Sequence, residues 1–175
     1  LFAFTISQGK VTELAFSVPR ALSVTQVRGQ HIRDWRLEPE TDASGRLVVI
    51  LNRPCTDQYG LQVLAEMPLP QFPTDVDLPM IIPAATAALP AGIRTAGHLG
   101  IGTNSAIQLI VKRTSGLSQV DVSAFARILL DADHPRPLPS AKAFYYTYAS
   151  LPCQISVSLS DVTPSCDASE SLVMT

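Results

Sequence analysis

The residues able to do chemistry are few, and they are scattered along the chain. Asp131-Ala-Asp133-His134 brings two carboxylates and an imidazole together, which are ligand types suited to a metal ion. They sit in one stretch with no distant ligand to close a coordination sphere. Pro135, Pro137 and Pro139 follow and mark a surface loop with solvated charges. Asp75 and Asp77 are spaced to share one face of a strand, as paired carboxylates for acid–base work would be, but no nucleophile or base accompanies them. His31 stands near Asp34, which suggests a dyad, yet a turn histidine beside a surface acid accounts for the pair equally well. Gly97-His-Leu-Gly-Ile-Gly102 is glycine-rich but lacks the Gly-x-x-x-x-Gly-Lys-Ser/Thr order of a phosphate loop and does not open a helix. It reads as a kinked or bulged strand, with His98 half-buried in it. Neither a Gly-x-Ser-x-Gly elbow nor a His-Glu-x-x-His motif is present. These observations give no catalytic residue, no metal ligand and no cofactor-binding residue, so the chain is expected not to be an enzyme.

Aromatic side chains carry the one binding signal. Trp35, Tyr59, Tyr146 and Tyr148, with Tyr145, offer flat apolar bodies with polar tips, the form that stacks on sugar rings. The competing reading is packing in or near a core. Cys55, Cys153 and Cys166 form an odd set with no Cys-x-x-Cys, which removes support for a zinc or thioredoxin-type site. Whether Cys153 and Cys166 bridge is left open by spacing alone.

Composition limits the partners. The 175 residues suit one domain, expected over 1–163 with 164–175 as a tail or linker. Hydrophobic residues make up 46% and charged residues only 16%, against about 25% in a typical protein. A net charge of -2 provides no basic field, so nucleic acid is not an expected partner. No run approaches the roughly 18 apolar residues of a membrane-crossing helix, so direct membrane insertion by this segment is not expected. The chain starts at Leu1 with no leader pattern and is expected to be a piece of a longer protein.

Alternating hydrophobicity supplies the elements. Phe2, Phe4 and Ile6 alternate with small polar residues, and so do Leu14, Phe16 and Val18. The connection Gln8-Gly9-Lys10 suggests a hairpin between them. Leu22–Val27 and Ile32–Glu38 are the next strands. Leu47–Leu51 is apolar throughout, as a strand covered on both faces would be. Leu61–Met67 alternates and is expected to form a hairpin with it. Six prolines between Pro68 and Pro90 imply an extended crossing from one sheet to another, with Met80–Ile82 as a brief edge strand and a helical turn at Ala84–Leu89. Arg94–Ile101, Ile107–Val111, Ala143–Ala149 and Ile155–Leu159 complete the strands. Val122–Leu130 is the helix candidate, capped by Asp121 or Ser123.

Val-Pro-Arg-Ala-Leu-Ser-Val24, Val-Arg-Gly-Gln-His-Ile-Arg-Asp-Trp-Arg-Leu37, Gly-Arg-Leu-Val-Val-Ile-Leu51 and Tyr-Gly-Leu-Gln-Val63 follow one another in a distinctive layout. Gly-Leu-Ser-Gln-Val-Asp121 and Ala-Phe-Tyr-Tyr-Thr-Tyr148 continue it. This layout resembles β-rich segments of large, uncharacterised, secreted or membrane-anchored bacterial proteins. The resemblance implies an extracytoplasmic module, periplasmic, secreted or anchored through another segment, and carries no functional residue with it.

The expected fold is therefore all-β: an antiparallel β-sandwich or strongly curved sheet pair of roughly ten strands with at most one short helix. The expected role is a non-catalytic structural or interaction module of a larger bacterial envelope protein. Its expected partners are neighbouring domains or envelope proteins. The alternative is a carbohydrate-binding or accessory domain of a polysaccharide-active protein.

Overall fold

The computed structural model describes residues 1–40, 43–86, 94–103, 106–121, 123 and 142–162. It is all-β: the described residues form thirteen strands in four antiparallel sheets. The contacts gather into two compact units. Unit 1 holds residues 1–70 and 78–95, and unit 2 holds 71–77 and 96–175.

Unit 1 is a two-sheet sandwich. One sheet has the order β1 (Phe2–Thr5), β6 (Gln58–Glu66), β3 (Ser23–Gly29). The other runs β4 (Ile32–Pro39), β5 (Ser44–Cys55), β2 (Val11–Pro19), β8 (Ile82–Ala84). Alternation places Leu14, Phe16 and Val18 of β2 beside Leu47 and Val49 of β5, with Phe16 opposite Leu47 and Leu14 opposite Val49. Tyr59 and Leu61 of β6 join them from the other sheet in one core cluster. Phe16 is fully buried, with the Phe2 ring 4.6 Å away and the Phe4 ring 6.0 Å away, centroid to centroid. The continuous apolar run of β5 fits its place between β4 and β2, and its opposite face is covered at Val48, which is also buried.

Two expected hairpins are not formed. β1 pairs with β6 and β2 with β5, so Gln8-Gly9-Lys10 carries the chain from one sheet to the other. The connection at Thr56–Asp57 does the same between β5 and β6. The two strands flanking each connection face a common core from opposite layers, which the same alternation permits. The hairpin between β4 and β5 is formed.

Unit 2 also has two sheets. The first orders β10 (Ile107–Ser115), β13 (Gln154–Asp161), β7 (Thr74–Asp77), and the second β11 (Ser118–Gln119), β12 (Lys142–Tyr148), β9 (Gly97–Thr103). Ile155, Val157 and Leu159 of β13 are buried while the serines between them are half-buried, the alternation of a strand with one face on a core. Leu109, Ile101 and Tyr146 are buried as well. Between β10 and β11, Gly116 turns the chain with φ +67°. A Cβ there would lie 3.0 Å from the Pro152 carbonyl oxygen, so both backbone angle and space favour glycine.

β9 pairs with β12 in continuous register, so the glycine-rich strand is regular and not bulged. Bulges occur instead in β3, β4 and β10, and the β2–β5 register is interrupted where residues 51–54 of β5 lie opposite Thr12 alone. The edge strand expected at Met80–Ile82 lies two residues on, as β8. β7 lies within the proline-rich stretch and carries Asp75 and Asp77 on one face. Ser123 N–H donates to the Asp121 carboxylate at 2.8 Å, an N-cap arrangement. The body of the expected helix, the second half of the expected turn at Ala84–Leu89, the Asp131–His134 cluster, Cys166 and the tail at 164–175 lie outside the described residues.

Candidate binding groove

β10 and β11 are edge strands of the two sheets of unit 2 among the described residues, and a groove of about 500 Å³ runs beside them. The alternation of β10 turns Leu109 and Val111 to one side. β11 and the residue before it add Gln119 and Leu117, and β12 adds Phe144 and Tyr146 from one strand face. Leu109 and Tyr146 are buried, Val111, Leu117 and Phe144 are half-buried, and Lys112, Arg113 and Thr114 are exposed at the rim. The β10 bulge, between Val111 and Arg113, sets both cations there: two residues lie where the ladder has room for one. Among the described residues, no aspartate or glutamate lines the groove, and the ionisable side chains in its lining are Lys112, Arg113 and Tyr146. Burial pushes the Tyr146 phenol above its ordinary range, so it stays neutral and its hydroxyl serves as a hydrogen-bonding group. Among its described residues, the lining holds no carboxylate base and no Ser–His or Cys–His pair. It offers an apolar floor, two fixed positive charges and the hydrogen-bonding side chains Thr114 and Gln119.

The four aromatic residues expected to stack on sugars divide between the two units. Trp35 and Tyr59 belong to unit 1, Tyr146 and Tyr148 to unit 2. Trp35 is half-buried against the unit 1 core, and Tyr59 lies within that core at 7% exposure. The Tyr59 hydroxyl donates to the Gln30 carbonyl at 2.7 Å. Tyr148 is half-buried against Gly97, its cross-strand partner. Only Tyr146 reaches the groove, with Phe144 two residues before it. Trp35 and Tyr59 thus pack in unit 1, and on β12 alternation gives Phe144, Tyr146 and Tyr148 one face, where Phe144 and Tyr146 line the groove and Tyr148 lies over Gly97.

The other sequence candidates fall apart similarly. His31 has a left-handed backbone, φ 57°, at the turn between β3 and β4, and its carbonyl accepts from Asn52 N–H at 2.8 Å. One Asp34 carboxylate oxygen accepts the Trp35 N–H at 2.8 Å, holding the acid on its own strand. His98 is exposed on β9 and not half-buried. Burial raises the Cys153 thiol above its usual range, and the Cys55 thiol donates to the Gln58 carbonyl at 3.5 Å. No group of three metal-ligating side chains occurs among the described residues. Asp75 and Asp77 do share one face of β7, beside Lys112, Arg113 and Ser156.

Sequence reasoning missed Lys112, Arg113, Leu117 and Gln119. The visible signal was Lys112-Arg113 closing the apolar alternation of β10, where a charged pair interrupts an otherwise half-buried strand. No family model, curated protein or solved structure matches this chain.

Proposed function

We propose that this chain is a non-catalytic interaction module of a larger protein and that it binds through the unit 2 groove. The observation that carries this reading is the character of the lining: an apolar floor of Leu109, Val111, Leu117, Phe144 and Tyr146 under a cationic rim of Lys112 and Arg113. Such a surface holds a partner by burial and charge without changing its covalent structure. The resemblance of the chain to segments of large secreted or anchored bacterial proteins supports an extracytoplasmic setting, with neighbouring domains or envelope proteins as partners. No helix among the described residues is long and apolar enough to cross a membrane, which leaves anchoring to other segments in this reading.

A second reading, carbohydrate binding, is favoured by Phe144 and Tyr146 lying beside Gln119 and the two cations, since aromatic faces next to planar polar groups suit sugar rings. A glycan-binding screen of the intact chain separates the two. Saturable binding abolished by Phe144→Ala and by Lys112→Glu establishes the carbohydrate reading. If no glycan binds, but a protein partner captured on the intact chain is lost with the same substitutions, the interaction-module reading stands. Partner binding that survives both substitutions removes the groove from the function.

A further inference from the structure

We propose that the β7 side of β13 is a strand acceptor, filled within one chain by Thr74–Asp77 and able to take the same strand from a second copy of this chain. The first observation is topological. Residues 71–77 belong to unit 2, whereas the chain on either side, up to Pro70 and from Leu78, belongs to unit 1. After four intervening residues, 78–81, the chain reaches Ile82 and pairs with β2 of unit 1 as β8. β7 is therefore a strand of unit 2 whose flanking chain on both sides belongs to unit 1.

The second observation is the match between strand and slot. Val76 stands opposite the fully buried Val157, and Thr74 opposite Leu159, on the core-facing side of β13. Asp77 stands opposite Ser156 and Asp75 opposite Ser158 on the outer side. The Ser156 hydroxyl donates to the Asp77 carboxylate. Lys112 and Arg113, from the strand on the far side of β13, line one depression of about 320 Å³ with Asp75, Asp77 and Ser156. The slot thus recognises a short strand that alternates a small apolar residue with acids: the apolar residue covers Val157, and the acids meet serine hydroxyls and a positive field.

The third observation is that the strand is short. Four residues of ladder and one half-buried aliphatic side chain hold β7, the profile of an element that opens below the global unfolding free energy. A second copy offers the identical strand and so makes the identical pairing, and concentration decides which copy supplies it. The proposal adds a self-association surface to the interaction-module reading. It does not rest on that reading, because the groove ligand need not touch β7.

The intact chain carrying Asp75→Cys and Ser158→Cys, partners across the ladder, tests it directly. The chain is refolded under oxidising conditions from low micromolar to near-millimolar concentration. The expected result is a 75–158 disulfide, identified by peptide mapping, that is internal at low concentration and increasingly links two chains at high concentration. A link that stays internal at every concentration overturns the proposal. A second measurement avoids the cysteines. In intact Val76→Asp, amide exchange within 156–159 should accelerate about tenfold or more while the unit 1 core stays protected. A synthetic peptide of residues 71–79 should restore protection, and the same peptide with both aspartates replaced by lysine should not. Global loss of protection, or no rescue by the native peptide, counts against an exchangeable strand.

Discussion

Tyr148 and Gly97 are direct partners across the β12–β9 ladder, and a Cβ built on Gly97 would stand 2.5 Å from the Tyr148 hydroxyl oxygen and 2.7 Å from its Cζ. The Tyr148 ring thus occupies the space a Cβ at Gly97 would need, so any larger residue there must displace the ring. The Thr147 hydroxyl donates to the Gly97 carbonyl at 3.1 Å, which holds the same point from the neighbouring position. Gly97→Ala is expected to force Tyr148 aside and to cost about 1–3 kcal/mol, as overpacking does. Urea unfolding of the variant, alone and with Tyr148→Ala, checks it: the double variant should recover part of the loss. Additive losses would mean that the two positions are not coupled.

Tyr59 makes stability depend on alkaline pH. Its phenol is pushed up to about 12, first by burial and second by the neighbouring Cys55. The folded state thus holds the proton more tightly than the unfolded state, whose tyrosines titrate near 10. The stabilisation is complete below about pH 10 and is lost as pH rises toward 12. Burial shifts Tyr146 and Tyr148 in the same direction, so they add to the loss. Stability measured from pH 8 to 12 should fall, and Tyr59→Phe should fall less steeply. At neutral pH the same variant should cost about 0.5–1.5 kcal/mol for the lost hydrogen bond to Gln30.

Phe16 anchors the unit 1 core. With both its strand partner and the rings of Phe2 and Phe4 packed around it, truncation leaves a cavity lined from both sheets. Phe16→Ala is expected to cost about 3–5 kcal/mol. Phe16→Leu, which retains most of the volume, should cost clearly less. Thermal unfolding followed through Trp35, the chain's single tryptophan, reports the change within unit 1.

Trp35 itself separates packing from recognition. Half-buried against that core, it is expected to lose about 2–3 kcal/mol of stability on truncation to alanine and to leave ligand binding in the unit 2 groove unchanged. Stability by chemical unfolding and binding by titration are read on the same variant. A binding defect in a folded Trp35→Ala chain would return this residue to the recognition surface.

The strands were legible because each records its own faces. Phe2 and Phe4, Leu14 to Val18, and Ile155 to Leu159 alternate with polar residues wherever one face meets a core, and this local rhythm needs no knowledge of the partner. Burial of Val49 and Val157 follows from it. The candidate site was legible only in fragments. Tyr59, Tyr146 and Tyr148 look alike in the sequence, yet one enters the unit 1 core, one floors the groove and one covers a glycine.

By itself the sequence determined that this protein is built of β-strands and which side of most of them is apolar. Tertiary structure alone decided that Gln8-Gly9-Lys10 crosses between sheets, that Thr74–Asp77 serves a different unit from its flanks, and that Lys112 and Arg113 meet Phe144 and Tyr146. The reason is physical. Alternation is a property of successive residues, whereas the choice of neighbour depends on contacts between strands far apart in the chain, and two layers facing one core have the same alternation as two strands side by side.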